Sequence, residues 1–94
     1  MTYRLLFRAD ALKEWHSLAP SVRSQFGKKL KERLEHPRVE AARLSGMKDC
    51  YKIKLRSAGF RLVYEVRDKE IVVSVVAVGK RERNSVYKTA AKRI

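Results

Sequence analysis

An α+β fold is predicted by three features of the sequence. Apolar residues recur at helical spacing in the first half, as Leu12, Trp15, Leu18 and then Val22, Phe26, Leu30, Leu34. From Tyr51 the period drops to two, with Tyr51, Ile53 and Leu55 on one side and Lys52, Lys54 and Arg56 on the other. Turn formers then divide this alternating stretch at Ser57-Ala58-Gly59 and Asp68-Lys69. Helices grouped before strands favour a segregated α+β arrangement over an alternating parallel one. At 94 residues and 10.9 kDa, residues 1–94 read as one domain.

Each element has its own justification. Thr2 to Phe7 is short and mixes aromatic with aliphatic residues, which suits a strand. Asp10 is placed to cap a helix running to about Ala19, with Leu12, Trp15 and Leu18 as its buried stripe. Pro20 opens a second helix, where its missing N–H does no harm. That helix ends at His36-Pro37, because a residue before proline is pushed out of helical geometry. The two helices form a hairpin joined at Ala19-Pro20. Residues 37–49 read as irregular, with turns at Gly46 and Asp49.

The strands Tyr51–Arg56, Phe60–Arg67 and Glu70–Val78 form an antiparallel meander. Setting Arg56 opposite Arg61 places Ile53 opposite Tyr64, Tyr51 opposite Val66 and Lys52 opposite Glu65. Tyr64 then meets Val73 and Leu62 meets Val75. A slip of one residue would bury lysines, so the choice of face is strongly specified. The helix hairpin covers the apolar face and the other stays open and basic. Beyond Gly79, Asn84 or Ser85 caps a short C-terminal helix with Val86, Ala90 and Ile94 turned inward.

Charge narrows the function classes. Lys and Arg number 23 against 10 Asp and Glu, a net +13, with +5 in residues 1–47 and +8 in residues 48–94. A field of this sign draws polyanions and makes nucleic acid, a ribosomal surface or an acidic protein the leading partners. A lone Cys50 excludes an intrachain disulfide, and two distant histidines give no zinc spacing. No cofactor or metal is implied, and no Gly-rich phosphate loop is present. No apolar run is long enough to cross a membrane. Arg4 and Arg8 interrupt the N-terminal hydrophobicity, so a cytoplasmic location is expected.

The candidate site lies on the basic face. Lys52, Lys54, Arg56 and Arg61 share it, and Lys80, Arg81 and Arg83 arrive beside it. Such a row also suits a plain solvated face. Like charges stacked across strands are nevertheless unfavourable unless an anion relieves them. Tyr87 near this cluster suits base stacking, or equally the packing of its helix. Crowded cations depress lysine pKa values, which makes a lysine usable in proton transfer, and arginines stabilise charge on phosphorus. His16 and His36 lie far from this face and read as surface or half-buried structural residues, and Cys50 reads as a small apolar residue. Glu65 is the one acid expected on the basic face.

Several segments together resemble the RelE family of bacterial toxin–antitoxin ribonucleases. They are Ala11-Leu12-Lys13-Glu14-Trp15, Leu44-Ser45-Gly46-Met47, the run Asp49 to Ser57, Gly59-Phe60-Arg61-Leu62-Val63-Tyr64, Val78 to Arg83, and Val86-Tyr87. The resemblance spans the whole chain. It implies a RelE/ParE-like toxin domain: a metal-independent endoribonuclease that cuts mRNA in the ribosomal A site and inhibits translation. In that chemistry the RNA 2′-hydroxyl attacks the adjacent phosphate, leaving a 2′,3′-cyclic phosphate.

Carried over by position, Lys52 and Lys54 serve proton transfer and charge stabilisation. Arg61 holds the scissile phosphate, Arg81 stabilises or protonates the leaving oxygen, and Tyr87 stacks on a base. Arg56, Lys80 and Arg83, with Lys28, Lys29, Lys31 and Arg33 on the second helix, are candidate RNA or ribosome contacts. The implied partners are a RelB-type antitoxin, the ribosome with its rRNA, and mRNA; operon DNA enters only through the antitoxin. Two rivals remain: a same-fold toxin that poisons DNA gyrase, and a non-catalytic RNA-binding module.

Overall fold

The structure is a computed structural model that describes residues 2–82 and 84–94. Strand β1 (Arg4–Phe7) leads into helices α1 (Ala9–His16) and α2 (Pro20–Glu35). After a single 3-10 turn at Glu40–Ala42 come strands β2 (Cys50–Leu55), β3 (Phe60–Arg67) and β4 (Val72–Lys80), then helix α3 (Ser85–Arg93). The sheet order is β1-β4-β3-β2. The meander is antiparallel, but β1 joins β4 in parallel, from Arg4 opposite Val72 to Phe7 opposite Val75. The sheet is therefore mixed, with β1 and β2 as its two edges.

The hairpin of α1 and α2 covers one face. Ala11, Leu18, Val22, Phe26 and Leu30 pack there against Tyr51, Ile53, Leu55, Leu62, Tyr64, Val66, Val73, Val75 and Val78. Burial of each large apolar side chain contributes roughly 1.5–3 kcal/mol, so this layer is the main source of stability. Phe7, Trp15 and Phe26 extend it as a tilted aromatic series, with ring centroids 5.2 and 6.3 Å apart.

Helix α1 departs from the reading in two ways. Its cap position is Arg8 and not Asp10, because Arg8 still donates its N–H to the Val75 carbonyl at the end of the β1 ladder. Asp10 falls in the first turn, where its charge suits the helix dipole. The buried stripe is Ala11, Trp15 and Leu18, while Leu12 is exposed. The small Ala11 side chain is fully buried where the helix meets the core. The helix stops at His16 because Ala19, which precedes Pro20, is extended.

Both hairpin registers differ from the expected ones while the choice of faces is kept. Across the first turn Lys54 faces Arg61, Ile53 faces Leu62, Tyr51 faces Tyr64 and Cys50 faces Glu65. The displacement is two residues, which leaves each side chain on its own side of the sheet. Its cause is the place of the turn, which holds four residues in either register but spans 56–59 and not 57–60. Gly59, at φ 73°, donates its N–H to Leu55 O at 2.8 Å, and the ladder resumes at Leu55–Phe60. Across the second turn Tyr64 faces Val75 and Leu62 faces Val78, with a bulge where Val76 is the extra residue. Lys52 therefore lies opposite Val63, and no Lys52–Glu65 ion pair forms among the described residues.

The second face is only partly open. Leu44, Cys50, Val63, Val76, Ala77, Val86 and Ala90 form a smaller core beneath α3. α3 packs over Gly79, where a Cβ would stand in ordinary contact, 3.5 Å from Val86 Cγ2. Ile94 stays exposed. The far end of α3 is clasped to α1, where Arg93 donates to Glu14 Oε1 at 2.9 Å, Glu14 Oε2 at 3.0 Å and Val76 O at 2.8 Å. Glu14 accepts in turn from the Val78 N–H at 3.2 Å. The β4 edge beyond the reach of β1 is thus satisfied by side chains. Among the described residues no helix is long and apolar enough to cross a membrane.

Candidate active site

Strand alternation sets the site. Cys50, Lys52 and Lys54 point to the face away from the helix hairpin. Cys50 is covered by α3 and its loop, whereas the two lysines emerge beyond that cover. Arg61 lies directly opposite Lys54 on one side and opposite Gly79 on the other. The first turn of α3 packs over Gly79 and brings Tyr87 beside Arg61. The Arg61 guanidinium carbon sits 5.7 Å from the Tyr87 ring centroid, with Arg61 NH1 3.4 Å from the phenol oxygen. Arg81 is anchored by its backbone, whose N–H donates to Gly59 O at 2.8 Å. The same glycine that closes the first hairpin therefore holds Arg81 beside it.

These positions enclose a cleft of about 140 Å³ lined by Lys54, Leu55, Arg56, Phe60, Arg61 and Arg81. Four cations and no carboxylate make it an anion site. Lys54 pays for this crowding: its ammonium is held below the ordinary lysine range, chiefly by the charge of Lys52, then by lost hydration, Arg61 and Arg56. Burial raises the Tyr87 phenol above its usual value, opposed by the charge of Arg61. The Cys50 thiol is pushed up to about 11 by burial and by Glu65 and Asp49, so it is a core thiol with no nucleophilic character.

The structure brings some candidates together and separates others. Lys54, Arg56, Arg61 and Arg81 share the cleft, Tyr87 joins through Arg61, and Lys52 is linked to it through Lys54. Lys80 does not join. It pairs with Phe60 and so lies on the hairpin side of the sheet, because alternation sends Arg81 and Lys80 opposite ways. Arg83 lies outside the described residues. Lys28, Lys29 and Lys31 are exposed on α2, away from the cleft.

Arg33, a candidate phosphate contact, also has a structural task. Its NH1 donates to Lys52 O at 3.1 Å and to the Tyr64 hydroxyl at 2.8 Å, tying α2 to β2. The exposed positions of His16 and His36 match a surface role, and neither approaches the cleft. Leu55 and Phe60, the apolar wall at the hairpin end, were missed by sequence reasoning. They could have been found as the last pair before the Gly59 turn.

The family model described as "ParE toxin of type II toxin-antitoxin system, parDE" matches residues 5–85. The mRNA interferase toxin RelE of Escherichia coli K12 is 61% identical over 94 residues, covering 100% of this chain and 99% of that protein. A putative RelE-like toxin protein of Escherichia coli is 54% identical with the same coverage. The solved free-state structure of the E. coli RelE R81A/R83A mutant superposes with a TM-score of 0.92 at 58% identity, covering 100% of this chain and 99% of that one. The toxin chain in the intact E. coli RelBE toxin–antitoxin complex gives 0.83 at 60% identity, covering 86% and 99%. An archaeal RelE from Pyrococcus horikoshii, at 24% identity and a TM-score of 0.65, shares the fold. On sequence and fold together, the chain belongs to the RelE/ParE family of type II toxin–antitoxin toxins.

Proposed function

We propose that this chain is an mRNA interferase, the endoribonuclease toxin of a type II toxin–antitoxin system, and that it cuts the mRNA codon held in the ribosomal A site. The observation that carries the reading is the acid-free cleft of Lys54, Arg56, Arg61 and Arg81 with Lys54 depressed inside it. The scissile phosphate sits against Arg61. Its 2′-hydroxyl gives up a proton to a lysine of the Lys52/Lys54 pair as the O2′–P bond forms. The P–O5′ bond then breaks, Arg81 stabilises the departing oxygen, and that oxygen leaves as a 5′-hydroxyl after taking up a proton. The other product ends in a 2′,3′-cyclic phosphate. Tyr87, fixed over Arg61, stacks on a base and orients the nucleotide.

This constellation has no well-tuned histidine or carboxylate, so catalysis depends on placement of the reacting groups. Ribosome-held mRNA supplies the in-line geometry, an effect of up to about 7–11 kcal/mol in well-oriented systems. Free RNA is accordingly a poor substrate. The +13 charge assists docking on rRNA, with Lys28, Lys29 and Lys31 on the outer face of α2 available to phosphates. A RelB-type antitoxin is the cognate partner, reading operon DNA on behalf of the pair, and the complex works in the cytoplasm.

The test is end-group analysis of an A-site codon cut on programmed ribosomes. A cyclic phosphate and a 5′-hydroxyl are expected, with cutting abolished by a single 2′-deoxy substitution at the scissile position. A 3′-hydroxyl product, or unchanged cutting of the deoxy codon, would refute the mechanism. The matched family model is named for ParE toxins, and the rival to exclude is the same-fold gyrase poison. Inhibition of gyrase supercoiling by the purified chain, with no codon cleavage, would establish that reading instead.

A further inference from the structure

A second groove opens on the other side of the catalytic lysines. It measures about 460 Å³ and is lined by Arg33, Lys52, Lys54 and Arg56, with Val39, Ala41 and Ala42 as an apolar side from the 3-10 turn. Lys54 and Arg56 line both this groove and the 140 Å³ cleft, so the two are continuous across one strand edge. The groove contains four cations and no carboxylate. Arg33 is held in it by Lys52 O and the Tyr64 hydroxyl, so its charge is fixed in place. Like charges this close repel one another and so favour a bound anion, and the small side chains of Ala41 and Ala42 leave the space open.

Resting on the nuclease reading of the cleft, we propose that this groove is an RNA subsite that takes the phosphodiester adjoining the scissile one on the same strand. A single strand whose one phosphate meets Arg61 continues over the Lys54–Arg56 edge, and its next phosphate enters the field of Arg33, Lys52 and Arg56. The apolar side accepts the sugar or a base face. Lys52 thereby acquires a role in holding the neighbouring phosphate in addition to its effect on Lys54. The subsite makes the toxin's grip depend on strand length beyond the cut bond.

Ala41 provides a clean test, because it is exposed, lines the groove and is absent from the cleft. The probe is a short RNA with a 2′-deoxy nucleotide at the scissile position, bound to the free protein and followed by fluorescence anisotropy. It is compared with the same RNA extended by one phosphodiester at its 5′ or its 3′ end. For the unmodified chain one extension is expected to tighten binding about fivefold and to steepen the log K against log salt slope by about 0.7. Ala41→Glu is expected to abolish that gain, and Ala41→Lys to enlarge it.

Equal gains in all three proteins, or no gain from either extension in the unmodified chain, would overturn the subsite. Ribosome-dependent cleavage is measured in parallel. Cleavage without the length effect overturns the groove alone, whereas a length effect without cleavage overturns the nuclease reading alone.

Discussion

Arg61 and Tyr87 belong to different layers, yet the guanidinium carbon of one stands 5.7 Å from the ring centroid of the other. A cation over an aromatic face is attracted by about 0.5–1 kcal/mol at exposed sites. The contact couples strand β3 to helix α3, and so the position of Arg61, proposed to hold the phosphate, to that of Tyr87, proposed to stack on a base. Its hydroxyl component is long, at 3.4 Å. Tyr87→Phe is therefore expected to retain single-turnover codon cleavage within about threefold, since the ring and its attraction for Arg61 remain. Tyr87→Ala removes ring and stacking together and is expected to lose roughly 10- to 100-fold, given about 1–3 kcal/mol per stacked base. Equal damage from both variants would place the function in the hydroxyl.

Lys54 gives a prediction about pH. Its ammonium is held below the ordinary lysine range mainly by Lys52 and least by Arg56. Removing a neighbouring positive charge raises the Lys54 pKa toward the usual value, so less of the neutral amine is present at any given pH. The rising limb of log rate against pH is then expected to move to higher pH in Lys52→Met, and by a smaller amount in Arg56→Gln. Single-turnover cleavage on ribosomes across the alkaline range reads this directly. A limb that stays in place in both variants would remove Lys54 from the proton transfer.

Tyr64 predicts a stability effect separate from catalysis. Its buried hydroxyl donates to Pro37 O at 2.6 Å and accepts from Arg33 NH1 at 2.8 Å. Tyr64→Phe leaves the carbonyl and the guanidinium short of a partner. The expected cost is about 1–3 kcal/mol, read as a lower urea midpoint with an unchanged slope. An unchanged midpoint would mean that the α2–β2 tie is dispensable.

Asp68 predicts an acid limb of stability. Its carboxyl is held below the ordinary range by the Tyr3 hydroxyl, which donates at 2.7 Å, and then by Arg38. A depressed carboxyl stabilises the fold fully above its unfolded pKa, about 3.9. That contribution is lost as pH falls through the lower folded value. Asp68→Asn is expected to lower stability at neutral pH and to flatten the decline between about pH 4 and the folded pKa. Parallel curves for both proteins, from urea melts at several pH values, would show the network to be ornamental.

Which parts were legible follows from physics. The long α2, with Pro20 at its start and Pro37 after its end, was readable because its signals are local. The faces of β2 and β3 were readable for the same reason: a period of two does not depend on partners. Register was not. The position of the Gly59 turn and the extra residue Val76 are settled by the packing of both cores, and neither leaves a local mark. The parallel pairing of β1 was hidden because its partner strand lies more than sixty positions away.

The candidate site divides in the same manner. Lys54, Arg56, Arg61 and Arg81 were found from strand alternation and from the family resemblance. Lys80 was misplaced because adjacency in sequence was taken for adjacency in space. The structural tie of Arg33 was not legible because its partner, the Tyr64 hydroxyl, comes from a strand thirty-one positions away. The Glu14–Arg93 clasp joins the two ends of the chain and has no signature in either segment alone.

The most direct measurement is cleavage of an A-site codon on programmed ribosomes by the unmodified chain and by Arg81→Ala, with ribosome binding measured alongside. The expected result is efficient cutting by the first, a loss of roughly 10²- to 10³-fold in the second, and binding largely retained. Binding without cutting by the unmodified chain, or equal cutting by both proteins, would contradict the assignment of the Lys54–Arg61–Arg81 cleft as the site of RNA cleavage.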